Sequence, residues 1–287
     1  LLQHGSSTSP RGPIDAPGLL GAADGAGAVR PVPGLFGAPV PLDYGERPGA
    51  ARHALRHGDV VPAERSELAN RVLNVLVAGL ALLILAPVCV LVALLVKLTS
   101  PGPVFYTQTR VGLDRRWRRA PGAVAGGSEP ADDDDRRLED LGGQPFTILK
   151  FRSMRADAEA GGQAVWATKH DPRITPVGRI LRKTRLDEVP QLINVLRGEM
   201  NIVGPRPERP SIVVRLREHV GEYPVRHRVK PGITGWAQIN HSYDASIEDV
   251  RTKVRYDLEY LRRQGVLFDL KIMVLTVPVM VFKRGAH

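Results

Sequence analysis

The sequence has little cysteine, few aromatics and no internal repeat. A single Cys in 287 residues excludes a disulfide framework and a Cys-rich metal site. That residue, Cys89, falls inside an apolar run, where it serves as a small hydrophobe. Phe, Trp and Tyr make up only 5% of the chain, and no nucleic-acid reading motif is present. A binder of single strands would need stacking platforms that this chain does not supply. The eight His fall in no HExxH or other paired-ligand spacing. No basic start precedes an apolar core in the manner of a secretory leader. What the chain has in quantity is apolar residues, at 43%, and positive charge, with 40 Lys and Arg against 30 Asp and Glu. The first suffices for a packed core and excludes a wholly disordered chain. The second, a net +10, implies an anionic partner: nucleic acid, lipid headgroups or a phosphate-bearing substrate.

The charge is uneven along the chain. Residues 1–64 are rich in Gly, Pro and Ala, without a period of 2 or 3.6, and are expected to form a disordered tail of net charge −1. Residues 120–143 form a Gly-rich insertion with seven acids and two Arg, net −5. The remaining body therefore carries +16. The run Asp132–Asp135 lacks the Gly and the ligand spacing of a calcium loop and reads as a solvated loop.

The strongest pattern is Val72 to Val96, 25 positions without a charge. At about 1.5 Å per residue it is long enough for a bilayer core of about 30 Å. A single transmembrane helix is the simplest reading. Pro87 near its middle removes a helix hydrogen bond. Four cations on one side (Arg52, Arg56, Arg65, Arg71) balance four on the other (Lys97, Arg110, Arg115, Arg116), so flanking charge sets no orientation. A re-entrant helix broken at Ala86-Pro87 accounts for both features, and by physics alone span and hairpin both stand.

Beyond it, "SPGPVFYTQTRVG" predicts a turn and a strand, and "PFTILKFRSM" a second strand through Phe146, Ile148 and Phe151. From Pro172 onward the pattern is mostly helical. Val250, Val254, Leu258 and Leu261 form one apolar helix face. Leu267 to Phe282, interrupted by Asp269, Lys271 and Pro278, predicts a core helix or one lying in a membrane surface. Trp236, in "KPGITGWAQIN", is either a core anchor or an interfacial aromatic in a tight loop.

The stretch Gly178 to Pro207 concentrates the chemistry. Leu186 to Leu196 predicts one short helix, with Asp187 at its start, Pro190 in its first turn and Gly198 at its stop. Asp187 and Glu188 then sit at the positive end of a helix. Arg179, Arg182, Lys183 and Arg185 precede them, and Arg197 and Arg206 follow. Surrounding cations favour an ionised Asp. Such an Asp can attack a phosphate or hold a hard divalent cation. Helix capping with surface ion pairs is the bland alternative. Lys150, Arg152 and Ser153 end the second predicted strand, suited either to a phosphate or headgroup contact or to an ordinary basic strand end.

Taken together, the Pro-broken apolar helix, "SPGPVFYTQTRVG", "FTILKFRSM", "LRKTRLDEVPQLINVLRGEMNIVGPRP" and "KPGITGWAQIN" resemble, in order and spacing, the bacterial sugar transferases of the monotopic phosphoglycosyl transferase type. The resemblance covers residues 65–119 and 144–287. It implies an α/β-type, mostly helical membrane-associated catalytic domain with a few short strands and an N-terminal re-entrant, Pro-broken membrane helix. The implied organisation is tail 1–64, membrane helix 65–98 and catalytic domain 99–287, with the insertion at 120–143 looping out. The implied activity is transfer of a sugar phosphate from a UDP-sugar to undecaprenyl or another polyprenyl phosphate, with UMP released, as a first membrane step of exopolysaccharide, O-antigen or other glycoconjugate assembly. Asp187 matches the family nucleophile and Glu188 its second carboxylate, the pair associated with Mg²⁺. Arg182, Pro205 and Arg206 match positions tied to phosphate binding, and Lys150 a Lys near the site. The implied setting is the bacterial inner membrane, with the catalytic domain on its cytoplasmic face, membrane lipid as a further partner, no nucleic acid, and homodimerisation open.

Three departures stand out. Ala86-Pro87 lacks the hydroxyl of the family's Ser-Pro break, and the acidic insertion replaces a short turn. Larger relatives carry more helices before this region, so a shorter, catalytic-core architecture is expected. The rival classes are a membrane-anchored basic nucleic-acid binder, a non-catalytic scaffold, and an enzyme that transfers the sugar without its phosphate.

Overall fold

A computed structural model of the chain describes residues 60–119, 142–158, 171–241 and 246–281. The expected tail up to residue 59, the acidic run and most of the insertion lie outside the described residues. The described residues are mostly helical, with four short strands.

The apolar run forms α1 (Glu67–Thr99), 33 residues and about 50 Å long. Ser66 caps its start by accepting from the Ala69 N–H, and Lys97 complements its C-terminal end. Ala86-Pro87, where the sequence placed a break, is not a helix terminus: α1 continues through it with Pro87 inside. One stripe of α1 is buried (Asn70, Asn74 and Ala78 in its first half, Val92 and Val96 in its last). The opposite face exposes large apolar side chains such as Leu76, Leu80, Leu83, Leu91 and Leu94.

Polar groups within this segment fix it to the rest of the fold. Asn74, 1% exposed, takes the Ile202 N–H on its Oδ1 at 2.6 Å and donates its amide to the Asn70 carbonyl. Arg71 donates to the carbonyls of Val195 and Leu196 at 2.6 and 2.5 Å. At the far end Val92 and Val96 pack with Phe151 and Leu181. Arg152 donates to the carbonyls of Ser100 and Pro101, fastening the turn that follows. Asn74→Leu removes the acceptor of a buried N–H, an effect of about 1–3 kcal/mol. A drop of several degrees in thermal midpoint is therefore expected in detergent; an unchanged midpoint would mean that α1 does not depend on this contact.

β1 (Phe105–Val111) and β2 (Pro145–Phe151) pair antiparallel, with Tyr106 opposite Lys150 and Val111 opposite Pro145. The insertion thus leaves and re-enters the fold at one end of a hairpin. α2 (Pro176–Thr184) starts with Thr175 as cap and ends at Arg185, whose left-handed backbone (φ 60°) reverses the chain. Gly178 packs so tightly that a Cβ there would lie 1.9 Å from the Ser153 carbonyl oxygen. The single helix expected over Leu186–Leu196 is instead a 3₁₀ turn, Leu186–Glu188, followed by α3 (Gln191–Arg197). Pro190 supplies no N–H, so the Leu186 carbonyl accepts from Val189, one residue earlier than an α-helix requires.

β3 (Asn201–Val203) and β4 (Gly232–Thr234) pair in parallel. The loop after β3 crosses the one around β4 backbone to backbone. A Cβ on Gly232 would sit 2.1 Å from the Gly204 nitrogen. α4 (Pro210–His219), a 3₁₀ turn (Tyr223–Arg228), α5 (Trp236–Asn240), α6 (Ile247–Arg263) and α7 (Val266–Val281) complete the described chain. The face expected on α6 is realised: Val250, Val254, Leu258 and Leu261 are all buried. Trp236 is a core anchor, tilted against Phe268 and donating its indole N–H to Glu259. α7 resolves its mixed pattern by facing: Asp269 turns inward and accepts from the Tyr260 hydroxyl at 2.9 Å, while Lys271 turns outward. Burial raises Asp269 to about 6.

Candidate active site

The turn after α2, the strand end of β2 and the loop after β3 converge on the Asp-Glu pair. The left-handed Arg185 aims the 3₁₀ turn inward, so Asp187 and Glu188 are both buried, at 8% and 9% exposed. Lys150, near the end of β2, donates its ammonium to Glu188 Oε1 at 2.9 Å. Arg206, in "GPRP", donates Nη2 to the same oxygen at 2.7 Å. Four of the residues singled out from sequence thus meet at one point.

Arg182 and Arg185 add positive charge near Asp187. Pro205 is buried behind the site, where its carbonyl accepts from Gly232 and helps hold the loop against β4. Arg152 serves another place: its guanidinium is bound to the turn after α1, as described above. Ala86 and Pro87 lie within α1.

The two carboxylates are electrostatically unlike. Burial pushes Glu188 up, but Arg206 and Lys150 outweigh it and hold the carboxyl well below the usual range. Burial also raises Asp187, to about 6, and the neighbouring Glu188 charge reinforces the rise against Lys150, Arg182 and Arg185. The sequence led us to expect the cations to dominate at Asp187; desolvation and a like charge prevail instead. Lys150 lies below its ordinary value because burial, joined by the Arg206 charge, outweighs Glu188. Asp187 Oδ1 is buried and has no hydrogen-bond partner. The arrangement is one committed carboxylate clamped by two cations, beside one ionisable carboxylate with an unused oxygen.

A second layer of charge supports the loop. Arg226 and Asp257, side chains 1% and 2% exposed, pair at 2.8 Å. Arg226 also donates to the Tyr223 hydroxyl and, through Nη2, to the backbone carbonyl of Arg206, both at 2.9 Å. Glu208, two residues beyond Arg206, pairs with Arg110 and Lys253 at 3.3 Å each. Asn194, fully buried, joins α3 to β2 by accepting from Leu149 N and donating to Thr147 O. Sequence reading missed Arg226, Asp257, Glu208 and Asn194. A signal existed for one of them, since Asp257 lies beside Leu258 on the apolar face of α6, where a charge must be paired.

No group of three His, Cys, Asp or Glu able to hold a metal occurs among the described residues. The Asp187–Glu188 pair nevertheless suits Mg²⁺, which takes one or two carboxylates and completes its shell with water and substrate phosphate. The unpartnered buried Oδ1 of Asp187 is the observation that fits it.

Known proteins similar to this chain point to one family. A family model described as bacterial sugar transferase matches residues 65–119 and 135–283. A UDP-glucose:undecaprenyl-phosphate glucose-1-phosphate transferase of Escherichia coli (strain K12) is 42% identical over 214 residues, covering 74% of this chain and 40% of the relative. A protein of the same name from Caulobacter vibrioides is 36% identical over 249 residues, covering 86% of this chain and 82% of the relative. A UDP-N-acetylgalactosamine-undecaprenyl-phosphate N-acetylgalactosaminephosphotransferase of Aeromonas hydrophila is 34% identical, covering 82% of this chain and 49% of the relative. The chain thus spans less than half the length of the Escherichia coli and Aeromonas relatives.

Proposed function

The chain belongs to the bacterial sugar transferase family, and on that premise we propose that it transfers a sugar 1-phosphate from a UDP-sugar to undecaprenyl or a similar polyprenyl phosphate, with release of UMP. The observation that carries the reading is the buried Asp187 carboxylate with a free oxygen, next to a Glu188 already neutralised by Lys150 and Arg206.

In the proposed first step an oxygen of the Asp187 carboxylate that is not on the metal attacks the β-phosphorus of the UDP-sugar. The new O–P bond forms as the bond from that phosphorus to the bridging oxygen breaks. UMP leaves with the electron pair, and Asp187 carries the sugar phosphate as an acyl phosphate. In the second step a phosphate oxygen of the polyprenyl phosphate attacks the same phosphorus, and the Asp187 carboxylate departs. Glu188 does not compete as nucleophile, because both cations are bound to it. Its charge keeps Lys150 and Arg206 in place beside the phosphate. Arg182 extends the cationic frame. Asp187 and Glu188 would hold Mg²⁺, whose chemistry is to spread the phosphate charge.

α1 is assigned to a single leaflet, entering and leaving on the cytoplasmic face. What supports this is that both halves of the helix pack on the same body while its outer face is apolar. A lipid-bound acceptor and a soluble donor then reach one site.

The test is UMP release by full-length protein in detergent, with polyprenyl phosphate, Mg²⁺ and a panel that includes UDP-glucose and UDP-N-acetylgalactosamine. Folded protein releasing no UMP with any sugar, or releasing UDP instead, would overturn the proposal. The raised Asp187 sets a pH dependence. Only the ionised carboxylate attacks, so formation of the labelled enzyme should be flat above about pH 6 and fall towards tenfold per unit below it. Single-turnover labelling with a radioactive donor reads this limb. A midpoint near 4 would mean that burial does not govern the group.

A further inference from the structure

A cationic surface feature lies away from the Asp-Glu pair, where α6 meets α7. Arg263, Leu267, Phe268 and Lys271 line a shallow, open depression on the surface. The guanidinium of Arg263 lies 4.5 Å from the Phe268 ring centroid, and its Nη1 donates to Glu259 at 2.6 Å. These contacts hold it in place while the side chain remains 43% exposed. Lys271 is exposed, and Glu259, the acid that binds Arg263, also accepts from the Trp236 indole. Among the described residues, the depression therefore presents one cation held by Glu259 and one exposed cation.

The apolar surface beside it has a definite direction. Leu267, Leu270, Val274 and Val277 are exposed and spaced at three and four residues, so they form one stripe of α7, opposite the buried Asp269 and Ile272. The cations flank the first two turns of the helix, and the stripe continues beyond them without a charge. α7 also packs against α1, whose outer face is apolar.

A surface with two cations at one end, Arg263 held by Glu259 and Lys271 exposed, and an apolar track leading from them matches an amphiphile with an anionic head. We propose that this depression binds the phosphodiester headgroup of an anionic membrane phospholipid, between Arg263 and Lys271, with an acyl chain along Leu270, Val274 and Val277. The site is separate from the reaction chemistry, and it rests on the reading only in that α1 lies against lipid. Charge complementarity selects an anionic over a zwitterionic lipid.

The experiment is native mass spectrometry of the full chain in detergent, titrated with phosphatidylglycerol, with phosphatidylcholine of the same chains, or with inorganic phosphate. Phosphatidylglycerol is expected to bind at least tenfold more tightly than phosphatidylcholine. Lys271→Gln should weaken it about fivefold, and Arg263→Gln with Lys271→Gln about thirtyfold, at one cation's worth of attraction each. Lys271→Gln alone keeps the question open to decision if the double variant does not fold, because that side chain is exposed. UMP release in phosphatidylcholine should be unchanged by Lys271→Gln. That readout separates failure of this site from failure of the catalytic reading. Equal affinity for the two lipids, or unaltered phosphatidylglycerol binding in the variants, would overturn the proposal. Displacement of the lipid by inorganic phosphate at comparable concentration would make it a free-anion site. Loss of a dimer in the variants would assign the face to a second copy of the chain. Either result also overturns it.

Discussion

Asp187→Asn is expected to lower UMP release by roughly 10⁴-fold or more, the scale seen when a covalent nucleophile is removed. The amide matches the carboxylate in shape but cannot form the acyl phosphate, so no labelled enzyme should accumulate. The same substitution should stabilise the fold. Burial and Glu188 raise Asp187 from 3.8 to about 6, which means the folded chain binds this proton more tightly than the unfolded one. By linkage the group favours folding most below its unfolded pKa. That contribution declines as pH rises towards 6 and is gone above it. At pH 7.5 the ionised carboxylate therefore opposes folding by up to about 3 kcal/mol. The Asn variant should melt several degrees higher at that pH and show little difference near pH 4. Loss of turnover with a higher midpoint is the signature of a strained functional carboxylate. Normal turnover would remove Asp187 from the mechanism, and an equal loss of stability at both pH values would make it a structural residue.

Asp257→Ala is expected to have the largest effect on stability. Its partner Arg226 is fully enclosed, and removing the carboxylate leaves a guanidinium buried without its counter-charge. Such losses run to about 3–5 kcal/mol, which for a chain of this size corresponds to roughly 6–20 °C in thermal midpoint. Arg226→Met combined with Asp257→Leu should recover much of it, because neither charge then needs a partner. Because Arg226 also binds the Arg206 carbonyl, the rescued variant should keep the fold yet turn over more slowly, with the loop no longer fixed. A midpoint change under 2 °C for Asp257→Ala would show that water reaches the pair.

Much of the site is legible in the sequence. Asp187, Glu188, Lys150 and Arg206 were singled out from charge density, punctuation by Gly and Pro, and family motifs, and the fold brings all four together. The strands at 105–111 and 145–151 and the apolar face of α6 followed from periodicity. Sequence failed where an outcome depended on a partner distant along the chain. Arg152 has the residue type of a phosphate ligand, but the carbonyls of Ser100 and Pro101 bind it. Nothing in the sequence marks Asn74 within the apolar run, yet it is a docking contact, because the Ile202 N–H lies 128 residues away and only folding brings it within reach.

The sequence by itself determined the family, the mostly helical composition, the long apolar segment and the identity of the Asp-Glu pair. These depend on local pattern and residue type, which a chain carries whether folded or not. The tertiary structure alone decided which carboxylate is bound and which is left free. Glu188 receives two cations from β2 and from the loop after β3, while Asp187 is desolvated beside it. A pKa is set by burial and by charges within a few ångströms. Spacing along the chain does not specify those neighbours.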